Sequence, residues 1–229
     1  MFRQILVVLL AIDAALIGLH LAAYAALYWG WLTTIPRAAS LFGDSSSAAE
    51  LFTYLKWCAT VAALALIFVR HRVQLFLGLA IAYAVVLVDD AVGLHERGAM
   101  LIMASFPDMP ILGLTRHIVG ELLVMATLGI GVTGIFLWGW FASPRLWRRA
   151  ALPFLASFGM LIFFAVGVDV VQVPLLGLTG EAFTAALSFI LRTIESAGEI
   201  ALGSLTAAVA IATHVQFVQP AVVDGETSG

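Results

Sequence analysis

The chain has 229 residues, 62% of them hydrophobic and 11% charged, with a formal net charge of −3 and a mean hydropathy of +1.07. A soluble domain carries about 25% charged residues, so this composition excludes a water-soluble globular protein and predicts an all-α, polytopic integral membrane helix bundle. Ten Arg and one Lys scattered through short loops exclude a nucleic-acid surface, and the single Cys58 excludes an internal disulfide or a thiolate metal site.

A bilayer span needs about 20 mainly apolar residues, and six runs qualify: 4–31, 51–69, 73–96, 111–141, 151–174 and 182–214. The first has Arg3 ahead of it, like a signal peptide, but it is too long for one and carries Asp13 and His20, so it reads as a helix. Residues 32–50 form the longest polar loop, and 98–112, with Phe106-Pro107-Asp108-Met109-Pro110, reads as a partial lid along the membrane surface. Pro174 and Gly177 close the fifth run, and 219–229 is a polar, mobile tail after a single bundle over 1–218. Arg3, Arg70, Arg72, Arg145, Arg148 and Arg149 fall at one set of ends and Arg37, Arg97 and Arg116 at the other. The positive-inside rule then places both termini in the cytoplasm. The expected location is a cell membrane of the bacterial inner-membrane type.

Charged side chains recur inside these runs. Asp89, Asp90 and Glu96 lie in the third, His117 and Glu121 in the fourth, Asp169 in the fifth, and Arg192, Glu195 and Glu199 in the sixth. Each such residue at a bilayer centre costs roughly 2.5–3.5 kcal/mol, so they are expected to face the bundle interior and to pair with one another, a metal or water. At about 1.5 Å per residue these groups, with His20 and Lys56, fall in one layer in the outer half of the bundle. Glu195 and Glu199, and likewise His117 and Glu121, are four apart and share a helix face. On a continuous third helix Asp89 and Glu96 align, Asp90 and Arg97 form a second stripe, and His95 points away. Asp13 reads as a paired structural acid, and Lys56 either snorkels to the interface or neutralises a carboxylate. Trp138, Trp140 and Trp147 read as an interfacial belt, Gly129, Gly131 and Gly134 as close-packing positions, and Cys58 as a small core residue.

The strongest expectation is a membrane-embedded metal-dependent enzyme, a hydrolase or oxidoreductase, whose site faces the outer, periplasmic side. His117, Glu121, Glu195, Glu199 and Asp89 would be the metal ligands. Asp169 and Asp90 would act as acid or base, supported by Arg192, Glu96, His20 and Lys56. Oxygen and imidazole donors without sulfur suit Fe, Mn or Zn. Haem held by His20 and His117 is disfavoured because acids outnumber histidines. The substrate would be lipid-soluble or arrive from the outer side. The Glu-x-x-His pairs of di-iron bundles, a His-Glu-x-x-His zinc motif and the late Lys of a retinal protein are all absent. Two rival expectations use the same acids: a proton- or cation-coupled transporter or channel subunit, and a structural subunit of a larger membrane complex or homo-oligomer.

Overall fold

The structure, a computed structural model, describes residues 1–42, 47–105, 116–164 and 181–218. Among these it holds seven α-helices: α1 (Phe2–Tyr28), α2 (Ala48–His71), α3 (Gln74–Val92), α4 (Leu94–Ser105), α5 (Arg116–Phe141), α6 (Arg145–Ile162) and α7 (Glu181–Val218). Five of them, α1, α2, α3, α5 and α7, are long and apolar enough to cross a membrane. The protein is therefore helical and membrane-associated. The fifth expected run, 151–174, begins within α6, whose first turns hold Arg145, Arg148 and Arg149. Of the expected lid, residues 98–105 belong to α4; its remainder, 106–112, the Pro174–Gly177 closure and the polar tail lie outside the described residues.

The chain divides into two compact units. The first combines Met1–Ala59 with Leu152–Gln219, and in it α1 packs against α7. α1 ends where Gly30 adopts a left-handed conformation, φ +75°. A short 3-10 turn, Arg37–Ala39, returns the loop to α1. Leu41, Ala49 and Ile200 bury themselves there against Leu16, Ile17 and Phe42. α2 opens at Ser47, whose Oγ accepts the Glu50 N–H at 3.1 Å. Ser-x-x-Glu at residues 47–50 is the pattern of a capping box, which satisfies donors that a helix start would otherwise strand.

The second unit spans Thr60–Ala151, and in it both α3 and α4 pack along α5. Glycines set the spacing. A Cβ on Gly139 would stand 2.9 Å from the Gln74 carbonyl oxygen, and one on Gly78 would stand 3.2 Å from that of Ile135. For α4, a Cβ on Gly98 would meet Val124 Cγ2 at 2.8 Å, and one on Gly120 the Ala99 Cα at 3.1 Å. The turn after α5 contributes Ser143, whose buried Oγ accepts the Leu75 N–H at 3.2 Å and so caps α3. Among the described residues, nothing lies within 4 Å of where a Cβ on Gly129, Gly131 or Gly134, expected at close contacts, would stand. They lie on the open side of α5. Cys58 is likewise exposed rather than in the core.

This sorting of glycines is testable. Gly139→Val should lower unfolding stability by about 1–3 kcal/mol, the usual cost of overpacking. Gly129→Ala should instead be neutral or mildly stabilising through helix propensity. Thermal unfolding of both variants in detergent micelles checks the contrast, and equal losses would refute it.

One sequence expectation changes here. The run 73–96 is not one helix: it breaks at Gly93, which sits at φ +64°, ψ +51° and closes α3 with its N–H bonded to the Asp89 carbonyl. A left-handed residue after the last turn is the common way a helix stops, and glycine adopts it without a Cβ penalty. The chain then restarts as α4.

Candidate functional site

The break at Gly93 organises the first polar centre. Asp89 both ends one helix and opens the next. Its carbonyl takes the Gly93 N–H at 2.7 Å, and its carboxylate Oδ1 takes the His95 N–H at 2.9 Å. The His95 ring turns back to the same carboxylate, with Nδ1 3.0 Å from each oxygen. His95 therefore faces Asp89, against the expectation for a continuous helix. The left-handed residue rotates everything after it, so periodicity counted through position 93 misplaces His95 and Arg97 alike. Glu96 folds back over the break, its Oε2 3.3 Å from where a Gly93 Cβ would stand. Glu96 and Glu121, the latter half-buried on α5, both act electrostatically on the His95 ring.

The depth of this centre follows from its neighbours. Gly98 and Ala99 of α4 lie against Val124 and Gly120 of α5. Those α5 residues belong to the apolar segment Val119–Phe141, one of the five that can cross a membrane. Gly93 precedes Gly98 by about 7 Å of helix rise, on the side leading back to α3. The break thus lies beside the N-terminal half of the α5 span, not beyond its end. The side chains there are partly open, 32% for His95 and 16% for Asp89.

A second centre lies in the other unit. Lys56 is buried and places its ammonium 2.9 Å from Asp13 Oδ1, 2.7 Å from the Ile200 carbonyl and 3.3 Å from Ser204 Oγ. Ser204 in turn donates to Asp13 Oδ2 at 2.5 Å. All three ammonium protons and both carboxylate oxygens have partners, so α1, α2 and α7 are tied at one point. Lys56 neutralises Asp13 rather than snorkelling.

His20, about two turns beyond Asp13 on α1, is fully buried. Its Nδ1 accepts the Leu41 N–H at 3.1 Å, so the neutral ring carries its proton on Nε2. Tyr24, Phe42 and Phe189 surround it, with ring centroids at 4.7, 4.6 and 5.9 Å. Among the described residues, Nε2 has no hydrogen-bond partner by geometry. With one nitrogen taken by Leu41 and the other protonated, His20 has no free lone pair for haem iron while this contact stands. Arg192 is exposed, with its guanidinium carbon 5.6 Å over the Phe42 ring.

The expected metal ligands divide between the units: Glu195 and Glu199, both half-buried on α7, fall in the first, whereas Asp89 and Glu121 fall in the second. Asp90 is exposed in the last turn of α3. Asp169 and the His117 side chain lie outside the described residues. Among the described residues, no three His, Cys, Asp or Glu side chains come together as a metal-holding group.

Fold and polar centres together define a helical membrane-associated protein in which an Asp–His pair bridges a broken helix. The chain belongs to the family described as a domain of unknown function, DUF8692, whose model matches residues 4–215. No curated protein and no solved structure matches it.

Proposed function

We propose that the protein is a proton- or cation-coupled membrane transporter, or the channel subunit of one, working at the Asp89–His95 break. The observation that carries this reading is a helix interrupted beside a membrane-length segment, with a carboxylate and an imidazole bridging the interruption. Irregular backbone at membrane depth is tolerated only where protein covers it or water reaches it, and broken helices in transporters mark the ion and substrate site. Here the break is held by a titratable pair, and two further carboxylates, Glu96 and Glu121, bear on the same imidazole. Acid and histidine groups in series are the chemistry of a proton relay.

The test is flux. Protein reconstituted into liposomes under an imposed pH gradient should dissipate it faster than empty liposomes, and Glu121→Gln should slow it at least tenfold. Flux equal to that of empty liposomes would overturn the reading. The metal-dependent enzyme is the rival, since His117 and Asp169 could still complete a ligand set. Stoichiometric Fe, Mn or Zn in the same preparation, lost in Glu121→Gln, would favour it.

A further inference from the structure

We infer that His20 is a pH-sensitive latch: its neutral ring holds the strap of residues 37–42 against α1, and protonation of the ring releases that strap. Strap, α1 and α7 all belong to one compact unit. The bond that joins strap to helix is one that only the neutral ring can make. His20 Nδ1 accepts the Leu41 N–H at 3.1 Å, across 21 residues of sequence. The neighbouring backbone bonds are local: the Ala39 N–H to the Pro36 carbonyl, the Ser40 N–H to the Arg37 carbonyl, and the Phe42 N–H to Ser40 Oγ. They give the strap its shape without fixing its position. Leu41 is buried against Ala49 and Ile200, which keeps the strap down while the ring is neutral.

In acid, a proton from water takes the Nδ1 lone pair, and both ring nitrogens become donors. Nδ1–H then meets the Leu41 N–H with no acceptor between them, so the hydrogen bond is lost and the ring gains one positive charge. Tyr24, Phe42 and Phe189 make the charge bearable, because aromatic faces attract a cation, but a ring face does not restore the bond to Leu41. Lifting the strap lets water reach the charged ring. The surrounding charges do not reverse this sign. Asp13 of α1 is held by Lys56 of α2 and by Ser204. On α7, Glu195 and Glu199 are half-buried and engaged, and Arg192 stands over the Phe42 ring as a like charge. Arg37 of the strap itself is exposed. Glu50 of α2 binds the Tyr54 hydroxyl through Oε1, while its buried Oε2 has no hydrogen-bond partner by geometry. Its titration is the one a test must separate from that of His20.

Hydrogen–deuterium exchange of the detergent-purified full chain tests this, with rates corrected for the intrinsic pH dependence of amide exchange. Protection of the Leu41 amide should fall about tenfold between roughly pH 8 and pH 5, while protection of the α1 interior stays constant. In His20→Gln the side-chain carbonyl can accept the Leu41 N–H but cannot titrate, so protection should be the same at both pH values. In His20→Phe there is no acceptor, and the amide should be as poorly protected at high pH as the wild type is in acid. Glu50→Gln should keep the fall seen in the wild type. The inference is overturned if wild-type protection does not change with pH, or if it still falls tenfold in His20→Gln. It is also overturned if the fall disappears in Glu50→Gln, because the titrating group is then Glu50. Should His20→Phe fail to fold, His20→Gln decides alone. The break at Asp89 and His95 lies in the other unit, so the outcome is independent of whether the protein moves protons there.

Discussion

Asp13→Leu should be among the most destabilising single substitutions in this protein, costing about 3–5 kcal/mol, the usual penalty for stranding one member of a buried ion pair. The ammonium of Lys56 would keep the Ile200 carbonyl and Ser204 but lose its counter-charge, in a position where it is only 2% exposed. Asp13→Leu/Lys56→Met should recover most of the loss, because replacing a buried pair by apolar residues of similar volume is often neutral or stabilising. Resistance to thermal unfolding in detergent measures both. A single variant as stable as wild type would show that the pair contributes little. The double variant should also retain flux, because this centre lies outside the Asp89–His95 break at which the proposed transport works. Loss of flux there, with stability restored, would move the proton path to α1 and α7.

The membrane character and the presence of polar groups inside spans were legible from the chain alone, because both depend on local composition. α1, α2, α5 and α7 overlap runs predicted from hydropathy. The break at Gly93 was also legible in principle. Gly after Asp89-Asp90-Ala91-Val92 is a helix-stop signal, and a left-handed glycine resets the angular count for every residue after it. Counting through it hid His95. The Asp13–Lys56–Ser204 centre was not legible to the same degree, since its members lie 43 and 191 residues apart. Which face of α1 meets which face of α7 is decided by packing and not by spacing within either helix. Depth counting could not choose which of several carboxylates pairs with Lys56. It also could not separate the glycines at close contacts from those on the open side of α5, because both sets sit in similarly apolar surroundings.

Two substitutions at Asp89 separate the structural duties of this residue from its proposed role in transport. Asp89→Asn keeps an oxygen to accept the His95 N–H, and Asn caps helix starts as well as Asp does. Its effect on stability should stay within about 1 kcal/mol. Asp89→Leu removes the cap and also leaves the partly buried His95 ring without its acceptor. Adding about 1 kcal/mol for the cap to about 1–3 kcal/mol for an unsatisfied buried polar group gives an expected loss of about 2–4 kcal/mol. Flux should divide the variants differently. An amide cannot take up a proton at physiological pH, so Asp89→Asn should fall to the level of empty liposomes even though it is folded and nearly as stable as wild type. Flux that followed stability, intact in Asp89→Asn and lost only in Asp89→Leu, would make Asp89 a helix-junction residue and exclude it as a proton carrier. Flux lost in both variants, with stability lost in only one, is the outcome expected of a carboxylate that exchanges protons with His95 across a broken helix.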